Sequence, residues 1–262
     1  MTMNGNQTLP NLRSAFVSLY DNALSRPYLI LFGHKVYQRF AIVGNARTGS
    51  NYLLDGLKRS NSIRMYHEIF ADHNRKIGEN FEKTFSALYQ NESRTTKIVG
   101  FKLFYNHLTE EEWKKFLSYK DFKIIHLTRL NRLRTLVSLE IAFQTGQWAK
   151  SVNASGKQLT EKRVFLDASR LVRRLEQIEE NEVLTRSRFS ERKILEVVYE
   201  ELIKNPVETF QSIGKYLGVN DIDPSRIRLT KQNPESLRQL IINYDEVHLL
   251  LKSTRFAEYL DG

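Results

Sequence analysis

Residues 39–57 read RFAIVGNARTGSNYLLDGL. The segment begins with an apolar run at 39–43 that is typical of a buried strand. It turns at Gly44 and Gly49 and continues as an apolar helical pattern. The spacing of the two glycines is that of a phosphate-binding P-loop, in which backbone N–H groups and the positive end of the following helix hold an anion. The segment therefore predicts a strand, an anion-binding loop and a helix.

The loop lacks two parts of a nucleoside-triphosphate site. Ser50 stands where the P-loop motif has lysine, and Asn51 stands where it has the Ser or Thr that binds Mg²⁺. A kinase or ATPase is therefore disfavoured. Arg47 can replace part of the missing charge, because a guanidinium donates two parallel hydrogen bonds to an oxyanion. The alternative is that the glycines only shape a tight turn beside a solvated arginine.

Further apolar segments, rich in β-branched and aromatic residues, alternate with helical patterns. The predicted strands are 97–103, 122–127 and 194–199, with a shorter one at 62–66. The predicted helices are 11–24, 49–58, 109–118, 131–148, 167–185 and 206–217. Nearly continuous apolar strands are buried on both faces, as in parallel sheets covered by helices. The sequence therefore predicts a three-layer, P-loop-like α/β fold with a central, mainly parallel sheet flanked by helices.

The chain has 262 residues, a formal net charge of +10, 41% hydrophobic residues and no cysteine. This length and apolar fraction are enough for one large core and exclude an intrinsically disordered chain. The lack of cysteine excludes disulfides, thiolate metal sites and a cysteine nucleophile, and it is compatible with the cytoplasmic location that we expect. We predict an N-terminal helical extension at 1–35 and a single domain at 36–262. The positive charge favours an anionic partner.

Several motifs together resemble a known family. Arg-Thr-Gly-Ser at 47–50, followed by Glu-Ile-Phe at 68–70, is similar to the 5′-phosphosulfate loop of sulfotransferases that use 3′-phosphoadenosine 5′-phosphosulfate (PAPS). The likeness extends to segments 123–129, 131–138, 198–202 and 231–233. It is greatest to the bacterial carbohydrate and lipid sulfotransferases of the trehalose and nodulation-factor type. The resemblance implies a sulfotransferase-like domain at 36–262 with PAPS as co-substrate.

The resemblance also implies which residues bind PAPS. It places the phosphosulfate group on the loop and the first turn of its helix, at Arg47, Thr48, Gly49, Ser50, Asn51 and Tyr52. It assigns the 3′-phosphate to Arg129 and Ser138. Arg129 falls at the carboxyl end of a predicted strand, where such sheets bind ligands, and Ser138 lies in a helix that is apolar nearly all round. The alternatives are a surface ion pair for Arg129 and a hydrogen bond from Ser138 to its own helix.

Transfer of a sulfuryl group to a hydroxyl needs a general base, and the resemblance supplies Glu68. Glu68 follows the short strand predicted at 62–66, where partial burial would raise its carboxyl pKa towards a useful value. The alternative is an ordinary surface glutamate. His107 is a second and more distant candidate for the base. Arg47 and Lys102 are candidates for stabilising the charge that develops on the sulfuryl group.

The expected acceptor is a hydroxyl of a small molecule, carbohydrate, glycolipid or related metabolite. No metal ion is expected, because the loop has no residue to hold one. Basic residues are dispersed among acidic ones, so nucleic acid is not an expected partner. A non-catalytic nucleotide- or nucleic-acid-binding protein on the same fold is the alternative function. No apolar run is long enough to span a membrane, while peripheral membrane contact and a homodimer are left open.

Three further features bear on the substrates. Residues 150–162 have the composition of an exposed loop or lid near the acceptor. Trp148 is a candidate for stacking on a sugar ring, or else for packing at a helix end. Lys231 is a candidate nucleotide contact by resemblance. The helix predicted at 11–24 has three open roles, which are docking on the domain, covering the acceptor site and dimerisation.

Overall fold

The computed structural model describes residues 29–75, 80–149 and 159–261. A five-stranded sheet forms the centre, with all neighbouring strands parallel and in the order β2-β3-β1-β4-β5. The strands are β1 (Gln38–Gly44), β2 (Ile63–Tyr66), β3 (Ile98–Phe104), β4 (Phe122–Thr128) and β5 (Ile194–Val198). The predicted α/β fold with a central parallel sheet is confirmed. The helix predicted at 11–24 lies outside the described residues.

Helices connect and follow the strands. They are α1 (Ser50–Leu57), α2 (Phe81–Leu88), α3 (Glu110–Ser118), α4 (Arg132–Thr145), α5 (Leu159–Lys162), α6 (Ala168–Arg188), α7 (Tyr199–Lys204), α8 (Pro206–Leu217), α9 (Leu237–Leu240) and α10 (Tyr244–Leu251). Helices α3 and α4 each begin at a capping side chain. Thr109 and Glu112 form a capping box at α3, and Asn131 caps α4 by accepting from the Arg134 N–H at 2.9 Å.

The sheet is buried on both faces because successive side chains of a strand point to opposite sides. In β1, Phe40 and Ile42 pack with residues of α1, α7 and α8. Ala41 and Val43 pack on the other face with residues of α2 and α3. The sheet is therefore the middle of three layers.

A third apolar cluster lies beside the sheet and is built from helices and loops. Helices α4, α6, α9 and α10 contribute Leu133, Leu171, Leu237 and Val247, among other buried residues. Because α4 is embedded in this cluster, the polar residues on its remaining face have a fixed position relative to the sheet.

Strand β1 is the point where the strand order reverses, since it pairs with β3 on one side and β4 on the other. Gly44 at its end is in register with Phe104 of β3 and Leu127 of β4. In open parallel sheets the ligand crevice lies outside the carboxyl ends of the strands at this reversal. The fold therefore directs the search for a site to the residues that follow β1, β3 and β4.

Some element boundaries differ from the sequence prediction. Helix α4 ends at Thr145 rather than at 148, because Gly146 takes a left-handed conformation with φ 67° and its N–H bonds back to the Ala142 carbonyl. Strand β5 ends at Val198, and Tyr199 begins α7 instead of ending the strand. The prediction missed α2, α5, α7, α9 and α10, which are short helices of four to eight residues.

Candidate active site

The loop after β1 turns through two residues with left-handed backbone. Gly49 has φ 87°, which glycine tolerates, and Arg47 has φ 68°, which is uncommon for a side chain of this size. Thr48 Oγ1 donates to the Asn45 carbonyl at 2.8 Å and closes the loop on itself. Helix α1 begins directly after it with the buried Ser50. The loop therefore aims the amino end of α1 at the crevice, as an anion site requires.

Close packing requires glycine at both ends of the loop. A Cβ added at Gly44 would collide with the carbonyl oxygen of Leu127, so the loop lies directly against β4. A Cβ added at Gly49 would collide with the ring of Tyr199. The two glycines therefore set the distance between the loop and the ends of β4 and β5.

Arg129 lies next to this loop. Its Nη1 donates to the Arg47 carbonyl at 3.2 Å, and its guanidinium lies over the Tyr199 ring, 4.6 Å from the ring centroid. The same ring packs on Gly49. Tyr199, which the resemblance included in segment 198–202 without assigning it a ligand, therefore supports both predicted phosphate sites.

Four cationic side chains influence one another here, namely Arg47, Arg129, Arg134 and Lys231. Burial, and then the charge of Arg129, lower the pKa of Arg47 to about 10. Burial, and then the charges of Arg134 and Arg129, lower the pKa of Lys231. The Glu200 carboxylate lies beside this cluster, with its Oε1 3.8 Å from Arg129 Nε. This concentration of positive charge favours a multiply charged anion.

Ser138 connects the loop to α4. Its Oγ accepts from Arg47 Nε at 3.0 Å and from Asn233 Nδ2 at 3.3 Å. Because both acceptor positions are used, the hydroxyl proton is left to donate to a ligand. The residues predicted to bind the two ends of the nucleotide are thus in direct contact through Arg47.

Two buried polar atoms beside this contact fit a nucleotide. Within the described residues, Arg129 Nε and Asn233 Oδ1 have no hydrogen-bond partner. Unpaired buried polar atoms are costly, so each favours a ligand that supplies the missing partner. A phosphate oxygen suits Arg129, and a hydroxyl or amino donor suits Asn233. The donor set therefore fits a phosphorylated nucleoside.

Glu68 follows β2 and is paired with a buried lysine. Lys102, in the middle of β3, is 1% exposed. Its Nζ donates to Glu68 Oε1 at 2.7 Å and to Asn51 Oδ1 at 2.7 Å. Asn51 belongs to the first turn of α1, so the carboxylate, the ammonium and the phosphate loop form one hydrogen-bonded unit.

The pKa of Glu68 does not shift in the expected direction. Burial raises it, but the charge and hydrogen bond of Lys102, with smaller contributions from His107 and His73, lower it below its ordinary value. The expectation of a raised pKa was therefore wrong, because the sequence does not show that Lys102 faces Glu68. The carboxyl group is ionised, and so able to accept a proton, throughout the neutral range.

His107 has a different arrangement. Its Nδ1 accepts from the Phe104 N–H at 3.1 Å, and burial lowers its pKa to about 4, so the ring is neutral near pH 7. A neutral imidazole whose Nδ1 accepts carries its proton on Nε2 and has no second lone pair for a substrate. This geometry favours Glu68 over His107 as the proton acceptor.

Gln147 and Trp148, which follow α4, form a strap across the loop between β1 and α1. The Trp148 carbonyl accepts from Arg47 Nη1 at 2.7 Å and from Asn51 Nδ2 at 3.3 Å. Gln232 accepts from Arg47 Nη2 at 2.6 Å and donates to the Gln147 carbonyl. The role of Gln232 was missed, although its neighbour Lys231 was singled out, because nothing in the sequence pairs residue 232 with the loop.

Several other polar residues make contacts outside this hydrogen-bonded unit. Tyr52 is partly buried against the apolar cluster under α1. Arg132 pairs with Glu182 at 2.7 Å and so belongs to the contacts between α4 and α6. Lys162 is not in an exposed loop, since it is 3% exposed and pairs with Glu235 at 2.7 Å. Residues 150–158 lie outside the described ranges.

The described part of the chain contains neither a candidate metal site nor a helix that could span a membrane. No cluster of three or more His, Cys, Asp or Glu side chains in these ranges could hold a metal ion. None of the helices in the described part of the chain is both long and apolar enough to cross a membrane.

Comparison with known proteins assigns the family. The sequence profile described as Stf0 sulphotransferase matches residues 38–246, which span the sheet, the loop and the cation cluster. The chain belongs to the Stf0 sulfotransferase family. This confirms the sequence-based identification as a sulfotransferase. No curated protein is significantly similar to this Stf0 chain in sequence.

Several solved structures are similar to this Stf0 sulfotransferase. The mouse sulfotransferase SULT7A1 complexed with PAP is 17% identical with a TM-score of 0.42, and the match covers 76% of this chain and 65% of the mouse chain. A sulfotransferase from Alicyclobacillus acidocaldarius is 15% identical with a TM-score of 0.47, covering 85% of this chain and 93% of that one. The sulfotransferase domain of the Synechococcus PCC 7002 olefin synthase is 15% identical with a TM-score of 0.38, covering 71% and 75%.

Proposed function

We propose that this chain transfers the sulfuryl group of PAPS to a hydroxyl of a carbohydrate, glycolipid or related metabolite, with Glu68 as general base. The observation that carries the proposal is the contact between the two phosphate sites, in which Arg47 joins the loop to Ser138 and Arg129. Two adjacent anion sites suit one nucleotide with phosphates at both ends of its ribose better than they suit a single phosphate.

The proposed reaction moves one proton and exchanges one bond to sulfur. The acceptor oxygen bonds to sulfur as its proton passes to the Glu68 carboxylate, and the bond from sulfur to the phosphate oxygen breaks. The electron pair of that bond leaves with 3′,5′-adenosine bisphosphate (PAP). Glu68 is suited to this role because it is ionised and only part-buried, with its side chain 26% exposed.

Charge on the leaving phosphate is stabilised by groups around the loop. Arg47 belongs to the loop before α1, Lys102 donates to Asn51 in the first turn of α1, and the amino end of this helix adds its dipole. Arg129 and Ser138 hold the 3′-phosphate, with the remaining hydroxyl proton of Ser138 directed to it. We propose Thr48, Gly49, Ser50, Asn51 and Tyr52 as further contacts of the phosphosulfate end.

The acceptor side lies next to the strap. Trp148 is 37% exposed, and its ring meets the exposed Phe143 edge to face at 5.3 Å. An exposed aromatic pair beside the phosphate loop suits the apolar face of a sugar ring or the apolar part of a glycolipid. This arrangement supports a glycan or glycolipid acceptor.

Thermal unfolding with two nucleotides tests the proposal. PAP should raise the melting temperature, whereas ATP with Mg²⁺ should raise it little, because the loop lacks the lysine and the hydroxyl of a triphosphate site. Arg129→Ala should reduce the response to PAP to that produced by 5′-AMP. A response to ATP with Mg²⁺ but none to PAP would overturn the proposal.

Labelled PAPS and a panel of glycans and lipids test the acceptor class. Transfer to a glycan or glycolipid hydroxyl without added metal is the expected result. Transfer confined to amines or simple phenols would contradict the proposed acceptor and leave the donor site in place.

A further inference from the structure

Asn51 occupies the position at which a triphosphate P-loop binds Mg²⁺, yet its partner here is an ammonium. In that motif the residue after the lysine supplies a hydroxyl to the metal ion. The Asn51 side chain instead accepts from Lys102 Nζ at 2.7 Å. A positive charge is thus present at this point of the loop, supplied by a side chain of the neighbouring strand β3.

The orientation of the Asn51 amide is determined by its two partners. Its Oδ1 faces the Lys102 ammonium, which has only protons to offer, and its Nδ2 faces the Trp148 carbonyl, which only accepts. The opposite orientation would place two donors together and two acceptors together.

The Lys102 ammonium is fully buried and needs all of its partners. Glu68 and Asn51 accept hydrogen bonds from two of its three N–H groups, at 2.7 Å each. The third proton is left for an oxygen of the transferring group. Without Asn51, a buried ammonium would move wholly towards the carboxylate, since an isolated buried charge is costly.

We propose that Asn51 is a positioning residue that holds the Lys102 ammonium between Glu68 and the phosphosulfate site, so that the ammonium can donate a hydrogen bond to each. In this arrangement the lysine of a different strand replaces the missing P-loop lysine, and the amide replaces the magnesium-binding hydroxyl. The effect on catalysis rests on the proposed function. The effect of Asn51 on the pair of Lys102 and Glu68 can be measured without turnover.

Paired variants test this role. Asn51→Leu keeps the shape and removes the acceptor, and Asn51→Asp keeps the shape and adds a carboxylate. Asn51→Leu should lower kcat by about ten- to hundredfold, the usual value of one hydrogen bond to a charged group, with little change in the KM for PAPS. The same changes at the exposed Asn61 are the controls and should leave both constants unchanged.

The Glu68 titration is followed by carbon-13 NMR of its carboxyl group in PAP-free protein. The charged and titratable groups around Glu68 are its neighbour His67, Lys102 of β3, His107 after it, His73 of the 3₁₀ turn after β2 and, further away, Arg47 of the loop. Asn51→Asp adds a negative charge to this group and should move the Glu68 titration to higher pH. The Asn61→Asp control should leave it in place.

The outcomes separate the inference from the proposed function. If the Glu68 titration moves as expected but no acceptor is sulfated by the wild type, the inference stands and the proposed function fails. An unchanged Glu68 titration in Asn51→Asp, or a raised KM for PAPS with wild-type kcat in Asn51→Leu, would overturn the inference, because Asn51 would then contribute only to binding PAPS. A variant that does not melt cooperatively is replaced by Asn51→Gln, which should restore most of kcat if the amide is what matters.

Discussion

At the scale of single residues, the pair of Glu68 and Lys102 has unequal burial. The lysine side chain is 1% exposed and the glutamate side chain 26%. The carboxylate therefore helps to keep the buried lysine protonated, while one side of the carboxylate still faces solvent and is open to a substrate. This asymmetry makes Glu68 the partner that is available for chemistry.

Glu68→Gln should stop transfer and leave nucleotide binding intact. The amide keeps a hydrogen-bond acceptor for Lys102 but has no proton affinity, so we expect kcat to fall by about 10²- to 10⁴-fold. The shift in melting temperature produced by PAP should be that of the wild type. Glu111→Gln, at an exposed position of α3, is the control. Wild-type kcat in Glu68→Gln would remove this residue from the role of base.

Lys102→Met should move the acid limb of the pH profile to higher pH. In the wild type the ammonium lowers the pKa of Glu68, so the base form persists as the pH falls. In the variant only burial remains as a major influence, and burial raises a carboxyl pKa. The measurement is kcat against pH from about pH 4 to about pH 9, a range that covers the ordinary glutamate value. An acid limb at the same pH would show that the lysine does not act on Glu68.

At the scale of elements, the loop between β1 and α1 and the start of α1 connect the carboxyl ends of β1, β3 and β4. The glycines of the loop allow it to lie against β4 at one end and against Tyr199 at the other. Arg47 then spans from the loop to Ser138 of α4. The position of both phosphate sites therefore depends on the packing of the loop as well as on its side chains.

Gly49→Ala should be more damaging than Gly146→Ala, although both glycines have positive φ. At Gly146 nothing lies within 4 Å of an added Cβ, so the cost should be the conformational one of about 1 kcal/mol. At Gly49 the added methyl group also meets the Tyr199 ring, which should bring the loss to about 2–4 kcal/mol. Urea unfolding measures both losses, and the response to PAP should disappear only in Gly49→Ala. Equal losses in the two variants would contradict the packing of Tyr199 on the loop.

Most elements that form the site could be predicted from local sequence. The segment 39–57 carries its own strand, turn and helix signals, and the cap at Asn131 marks the start of α4. The predicted boundaries were wrong where a single residue ends a helix, as Gly146 does, or where a helix follows a strand without a break, as at Tyr199. Such short-range choices depend on packing that a single sequence does not display.

At the scale of the whole molecule, the site combines residues that are far apart in the chain. Asn233 and Gln232 come from the segment before α9, which is held by the helical cluster beside the sheet. Their contacts with Ser138 and Arg47 have no local signature, so the resemblance covered the segment 231–233 but assigned a role only to Lys231. The direction of the Glu68 pKa shift was missed for the same reason, since Lys102 reaches Glu68 only through the pairing of β2 with β3.

The joined phosphate sites are best examined by isothermal titration calorimetry with PAP, 5′-AMP and 3′-AMP. If one nucleotide spans the contact between Arg47, Ser138 and Arg129, each phosphate adds charge-assisted hydrogen bonds. PAP should then bind at least about 100-fold more tightly than either monophosphate. Arg129→Ala should reduce the affinity for PAP to that for 5′-AMP. Equal affinities of the wild type for PAP and 5′-AMP would contradict the two-site arrangement and the sulfuryl-donor site built on it.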